Sequence, residues 1–236
     1  MSIKIMSFNT QHCLNYITRK IDFPRFTEVI RESGADIVGL NEMRGEGEHP
    51  EYTAQTETLA ESIGLYCCFA KAIDVRGDNP YGNGLLSRYP IIFAETVKIP
   101  DPQPRKYEGY YESRCILKAK IDTPEGVLTV LVTHFGLNPD EAENAVTTVI
   151  KNAERESCVI MGDFNLTPES AILEPLRAHY FDTAALFDGE RLSFPSDKPD
   201  RKIDYIFTSR DVKVTTADIP PVVASDHRPY TAEIVL

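Results

Sequence analysis

Val159-Ile-Met-Gly-Asp-Phe-Asn165 is an apolar run too short for a helix, which reaches a glycine and then offers a carboxylate and an amide two positions apart. Such a run reads as a buried strand, and residues two apart on extended backbone point the same way, so Asp163 and Asn165 can face one site. A carboxylate there can accept a proton from an attacking water, and an amide can donate to an oxygen on which charge develops. The competing reading is an Asx-turn that serves only the local backbone.

The same design recurs outward in both directions. Strand patterns cover residues 3–8, 36–40, 84–88, 91–99, 115–121, 127–133, 157–161, 203–208 and 230–235, and Thr123-Pro-Glu-Gly is a turn that joins two of them as a hairpin. Between them, Phe23, Phe26, Val29 and Ile30 fall at helical spacing over Phe23–Ser33, with Asp22 as cap and Gly34 as stop. Further helices are predicted over residues 53–63 and 140–153, the latter opened by Asn138-Pro139. Strands spread along the whole chain, with single helices and hairpins among them, point to an α/β arrangement of mixed or antiparallel sheets covered by helices. The Pro-rich segments 100–104 and 195–199 read as surface loops at a rim.

With 236 residues, 42% of them hydrophobic, the chain can bury a sizeable core, and we expect one domain over residues 1–236. No stretch approaches the roughly 18 to 20 apolar residues that span a bilayer, and the N-terminus enters a strand directly, so the expected location is the cytoplasm. Five cysteines without Cys-x-x-Cys spacing read as reduced, mostly buried thiols rather than a zinc site or a nucleophile. The net charge of −11, 36 acidic against 25 basic residues, repels a polyanion unless Lys and Arg gather on one face. This weakens a nucleic-acid partner without excluding it, because site carboxylates neutralised by a metal ion contribute to the charge.

Other reactive residues stand at the ends of apolar runs. Glu42 follows Ile37-Val-Gly-Leu-Asn and offers the hard oxygen that suits Mg²⁺ or Mn²⁺, although many strands end in an exposed Glu. Asn9 ends the first strand and reads equally as a solvated turn residue. His134 closes Leu-Thr-Val-Leu-Val-Thr-His, as a catalytic group or as a core histidine. In Ser225-Asp226-His227-Arg228 a carboxylate and an imidazole are adjacent, and Asp204 lies in another strand pattern; an imidazole needs a carboxylate partner to fix its tautomer and hold it charged near neutral pH. Taken alone the pair is compatible with a protease triad, a zinc site or a surface salt bridge.

Seven short segments in order resemble the endonuclease/exonuclease/phosphatase superfamily, which includes deoxyribonuclease I, abasic-site endonucleases, neutral sphingomyelinases and inositol-polyphosphate 5-phosphatases. They are Met6-Ser-Phe-Asn9, Ile37-Val-Gly-Leu-Asn-Glu42, Gly82-Asn-Gly-Leu-Leu-Ser-Arg-Tyr-Pro90, Thr133-His134, Gly162-Asp-Phe-Asn165, Arg201-Lys-Ile-Asp204-Tyr-Ile and Ser225-Asp-His227. The resemblance implies a deoxyribonuclease I-like α/β (α+β) fold, a four-layer sandwich of two packed mixed, mostly antiparallel sheets flanked by helices. It implies Glu42 as main metal ligand with Asn9 and Asp226 helping, Asp163 orienting or deprotonating a water, and Asn165 on the phosphate. His227, oriented by Asp204, would face that phosphate. His134 would donate to a phosphate oxygen or the leaving group, with Arg114 and Asn83 on the substrate side.

The reaction expected is Mg²⁺-dependent (Mn²⁺ also suits) hydrolysis of a phosphate ester by direct water attack, with no activated Ser or Cys. Histidines at both positions resemble the deoxyribonuclease I, sphingomyelinase and phosphatase branches. The chain has no tryptophan, and its segment 192–201 departs from the Trp-rich one that abasic-site enzymes carry. With the acidic charge, this favours a phosphorylated small molecule or lipid headgroup over nucleic acid; a nuclease and a non-catalytic phosphate-binding module are the alternatives. Arg105, Lys106, Arg201 and Lys202 with nearby tyrosines could seat a headgroup or be plain solvated surface.

Overall fold

A computed structural model of the protein describes residues 2–236. Twelve strands are assigned among them, in two six-stranded sheets. The first sheet is built from β1 (Ile3–Asn9), β2 (Ile37–Arg44), β3 (Tyr66–Asp74), β4 (Pro80–Ser87), β11 (Lys213–Asp218) and β12 (Tyr230–Val235), in the order β11-β12-β1-β2-β4-β3. The second contains β5 (Ile91–Lys98), β6 (Cys115–Thr123), β7 (Gly126–His134), β8 (Cys158–Asp163), β9 (Phe181–Asp182) and β10 (Asp204–Thr208), in the order β5-β6-β7-β8-β10-β9. Only β1 with β2 and β7 with β8 run parallel. The sheets are therefore mixed and mostly antiparallel, as expected.

Both faces of each sheet are covered, which is why the strands read as near-continuous apolar runs. The period of two sorts them. Ile3, Ile5, Ile37 and Leu85 of the first sheet meet Leu117, Val130, Val132, Val159, Met161 and Ile206 of the second in the central core. The alternate residues Met6, Phe8, Val38 and Leu40 face outward onto Phe26, Val29 and Ile30 of α1 (Phe23–Ser33) and Leu59 of α2 (Gln55–Ile63). On the far side Leu131, Ile160, Tyr205 and Phe207 pack on Ala142, Val146 and Val149 of α3 (Pro139–Asn152) and Leu176 of α4 (Glu174–His179). The result is helix, sheet, sheet, helix.

Local signals set the boundaries. Asp22 accepts the Arg25 N–H at the start of α1, and Gly34 ends it in the left-handed conformation. At α3, the Glu141 carboxylate accepts the Asn138 N–H at 3.1 Å. The 157–161 pattern extends to Asp163, and β2 runs on through Asn41 and Glu42, which the sequence placed beyond the strand. β3, β9, β11 and α4 were not anticipated. β11 is half exposed and polar, and β3 carries the pattern Tyr-Cys-Cys-Phe-Ala-Lys-Ala-Ile-Asp without clean alternation. All five cysteines are free, three of them buried. Among the described residues, no helix is long and apolar enough to cross a membrane.

Gly162, next to last in β8, has φ +147°, and a Cβ there would collide with the Thr133 carbonyl oxygen of β7. No L side chain fits that backbone. Gly162→Ala is expected to destabilise the fold by more than about 3 kcal/mol through strain plus overpacking. A urea midpoint within error of the unmodified protein would refute this.

Candidate active site

Three chemically active residues form a row across the second sheet because the register puts them there. His134 ends β7, Asp163 ends β8 and Asp204 opens β10, and the pairing sets His134 against Asp163 and Asp163 against Asp204. His227 comes to this row from the loop before β12. Its Nδ1 donates to Asp204 Oδ2 at 2.9 Å, and its Nε2 lies 3.5 Å from Asp163 Oδ2. His134 Nε2 lies 3.4 Å from the same oxygen. Asn165, with φ +51°, folds back so that its Nδ2 donates to the Phe135 carbonyl and stands 3.2 Å from His134 Nε2.

The row is buried, so the charges decide one another. Asp163 is 2% exposed; burial raises its carboxyl, the neighbouring Asp204 raises it further, and His227 opposes, leaving it at about 7. Burial disfavours charge on His227, but Asp204 and Asp163 outweigh it and push the imidazole up to about 10. His134 goes the other way: burial, then Arg114 and His227, hold it well below the usual imidazole range. One histidine is charged at neutral pH and the other is not.

The first sheet contributes oxygen donors. At Glu42 the register of β2 with β4 slips and φ is +62°, a bulge of the kind that re-aims a side chain. Glu42 Oε1 accepts from Asn9 Nδ2 at 3.0 Å, and the Tyr81 hydroxyl also bonds this carboxylate. Asn9 Nδ2 donates as well to Asp163 Oδ2 at 3.0 Å, which ties the two sheets' residues into one site. Beyond Asn9, Gln11, His12 and Cys13 all have positive φ, each costing about 1–2 kcal/mol for an L-residue. This turn aims Gln11 Nε2 at Asp226 Oδ2, 3.0 Å away, while Gln11 Oε1 is buried without a hydrogen-bond partner among the described residues. Asp226 Oδ1 accepts from its neighbour Ser225. Adjacent Asp226 and His227 thus serve different partners.

Of the two residues expected on the substrate side, one takes another place. Asn83 is 2% exposed, accepts from Asn41 Nδ2 and donates to the Cys115 carbonyl, so both ends of its amide brace the sheets. This corrects its reading as a substrate contact: a buried amide with both ends bonded has nothing to offer a ligand. Arg114 does reach the site, but its Nη1 is engaged by Glu112 Oε1 at 2.6 Å and by His134 Nδ1 at 3.2 Å. Sequence reading passed over Asn41, whose amide accepts from the Asp163 N–H and donates to the Thr133 carbonyl across the two sheets. A fully buried amide inside an apolar strand was the available signal. Nothing in the sequence singled out Gln11 or Glu112.

The model of the endonuclease/exonuclease/phosphatase family matches residues 6–227. The chain belongs to the endonuclease/exonuclease/phosphatase family. Enzymes of this family are phosphoric ester hydrolases, and the chain is one of them. YbhP of Escherichia coli (strain K12) is 27% identical, over 100% of this chain and 97% of that protein. Among solved structures, a family protein from Beutenbergia cavernae superposes with TM-score 0.81 at 21% identity, over 100% of this chain and 72% of that one. A mannosyl-6-phosphatase from Bacteroides thetaiotaomicron does so with TM-score 0.78 at 15% identity, over 99% and 100%. These neighbours share the fold of two packed sheets between helices.

Enzymes of this family generally depend on a divalent metal, and the donors present fit one. Asp163, Asp204 and His227 offer ligand atoms within 4.8 Å of one another. His227, however, spends Nδ1 on Asp204 and holds its proton to about 10, so this trio is built for proton handling rather than ligation. Glu42, Asn9, Gln11 and Asp226 instead form a hydrogen-bonded string rich in oxygen, ending in the orphaned Gln11 Oε1. A hard cation is the partner such oxygens lack.

Proposed function

We propose that the protein hydrolyses a phosphate ester of a small molecule or lipid headgroup by direct attack of water, with Mg²⁺ held by Glu42, Asp226 and Asn9. The observation that carries this reading is the meeting of two histidines around Asp163 Oδ2, one held from behind by Asp204 and the other by Arg114. Asp163, poised at about 7, takes the proton from the water; a base is most effective near the operating pH. His227, held charged by Asp204, and the Asn165 amide donate to the phosphoryl oxygens. His134 donates beside them. The ion supplies charge compensation at the phosphoryl group and the leaving oxygen. No side-chain nucleophile is used.

The choice of a small substrate is supported by how the cations are spent. Arg201 is paired with Asp200 at 2.6 Å and lies over the Phe194 ring, Arg105 lies over Tyr111, and Arg191 is paired with Asp218. Lys202, expected at the rim, is 5% exposed, with its ammonium on the Tyr205 face and donating to the Asp204 carbonyl. Each of these four cations already has a partner, which lowers what it can give a polyanion. The Bacteroides thetaiotaomicron neighbour acts, by its name, on a sugar phosphate.

The test is a panel of bis-p-nitrophenyl phosphate, p-nitrophenyl phosphate, sphingomyelin, plasmid DNA and abasic duplex with Mg²⁺ or Mn²⁺. Hydrolysis of a small or lipid ester is expected, lost on chelation, restored by added Mg²⁺, and reduced at least roughly 100-fold in Glu42→Gln. Cleavage of DNA alone would replace the substrate reading. No turnover above Glu42→Gln and His227→Ala controls would remove the enzymatic one.

A further inference from the structure

The two histidines meet the same carboxylate oxygen but are held from behind by opposite charges. Behind His227 stands Asp204; behind His134 stands Arg114. A guanidinium is a permanent cation with N–H donors and no acceptor. Its Nη1 carries two hydrogens, and two neighbours are in reach: Glu112 Oε1 at 2.6 Å and His134 Nδ1 at 3.2 Å. Nδ1 can meet that N–H favourably only as a bare lone pair.

The other ring nitrogen leads to the same assignment. A neutral ring with Nδ1 bare carries its hydrogen on Nε2, and there an acceptor, Asp163 Oδ2, lies 3.4 Å away. Two donors, Arg114 at Nδ1 and Asn165 Nδ2 at Nε2, each 3.2 Å away, compete for the single bare nitrogen of a neutral ring; the permanent cation takes it, and an acceptor placed before Nε2–H and Asn165 Nδ2–H satisfies both. A phosphoryl oxygen supplies that acceptor.

The Arg114 guanidinium is itself fixed from the helix layer. Glu112 receives the Tyr110 hydroxyl on Oε2 at 2.9 Å, and its own N–H donates to Glu141 Oε1. Glu141 uses its second oxygen to cap Asn138 at the start of α3. Side-chain exposures of 11% for Arg114 and 15% for Glu112 leave little room for the pair to swing away. The charged groups facing His134 are thus Arg114 with Glu112 on one edge, and Asp163 with His227 on the other.

We infer that Arg114 is a positioning residue that locks His134 as the neutral imidazole with its proton on Nε2, making His134 a fixed hydrogen-bond donor and not a proton source. The inference rests on the phosphoesterase reading for its use, but not for its test. It divides the labour of the pair: His227 brings charge, His134 brings direction. The leaving oxygen then takes no proton from His134, because a neutral imidazole that gave up its Nε2 proton here would become an anion.

The experiment is long-range ¹H–¹⁵N correlation of histidine-labelled protein without substrate, with His134 assigned by His134→Gln. The expected spectrum has one protonated Nε2 and one bare Nδ1 at His134, unchanged from about pH 5.5 to 8, below and above the usual imidazole value. In Arg114→Met, His134 is expected to titrate or to move its proton to Nδ1, and Arg114→Lys is expected to keep the Nε2–H form, since an ammonium still donates. A His134 in the unmodified protein that titrates in this range, or that carries its proton on Nδ1, overturns the inference. So does a His134 spectrum in Arg114→Met that is unchanged from that of the unmodified protein. If Arg114→Met does not fold, the unmodified protein and Arg114→Lys decide. Because substrate is absent, failure here leaves the hydrolysis panel untouched, and failure there leaves this result standing.

Discussion

Asp163→Asn is expected to lower kcat by roughly 10²- to 10⁴-fold while the protein remains folded. The substitution keeps the shape and removes the base. In the native site, Oδ1 accepts from the Asn165 N–H at 2.9 Å and Oδ2 accepts from Asn9 at 3.0 Å, with both histidine Nε2 atoms nearby. An amide can replace one of these oxygens and must turn a donor towards the others. The disturbance is local, because β8 keeps its backbone pairs and Asn41 still receives the residue-163 N–H. Loss of the buried carboxylate also removes one of the three anions, Asp204, Asp163 and Asp226, that hold the proton on His227, so that imidazole should deprotonate at lower pH than about 10. Rates at saturating substrate and an imidazole titration measure the two effects. An Asp163→Asn enzyme within tenfold of the native rate would mean that the proton goes elsewhere.

The layers of this fold were legible because both faces of each sheet are buried. Ile3 and Ile5 inward with Met6 and Phe8 outward make a run that only a strand between two apolar layers tolerates, and Phe23–Ser33 announced its own cap and stop. The edges were not legible. β5 is exposed along most of its length and was found by its β-branched residues, whereas β11, Lys-Val-Thr-Thr-Ala-Asp, holds a polar surface edge whose place is set by pairing with β12. Pairing partners distant in sequence leave no trace in a local pattern.

The site was legible where chemistry and strand ends coincide. His134, Asp163 and Asp204 each stand at a strand end, and their row follows from register alone. Glu42 was recognisable as a carboxylate, but its bulge was not, since Leu-Asn-Glu-Met carries no glycine to announce a positive φ. The left-handed turn 11–13 and the Glu112–Arg114–His134 chain were hidden for a related reason. They depend on loops closed by contacts from other elements, the first by Gln55 to the His12 carbonyl and the second by Glu141 of α3. Four basic residues suggested an anionic ligand; in the structure Arg201 and Lys106 pair with acids, while Arg105 and Lys202 lie over tyrosine rings.

Asp204→Asn is expected to cost roughly 10²- to 10⁴-fold in kcat/KM at pH 8 and to move the alkaline limb of the profile down. Asp204 is fully buried, and its Oδ2 is the acceptor for His227 Nδ1–H. Burial alone pushes the His227 imidazole towards its neutral form, and Asp204 is the largest force raising it. An amide keeps an oxygen for the Nδ1–H but withdraws the charge, so His227 deprotonates at lower pH and its Nε2 ceases to donate to the phosphoryl oxygen. The same shift governs stability, with a definite sign. A histidine raised from about 6.5 unfolded to about 10 folded contributes fully below 6.5 and loses that contribution as pH rises through 10. Asp204→Asn should therefore lose most stability in acid and at neutrality, on the order of 3 kcal/mol as for a buried pair deprived of one partner, and little near pH 10. A native and a variant stability curve that stay parallel from pH 6 to 10, with an unmoved alkaline limb, would show that Asp204 does not hold the charge on His227.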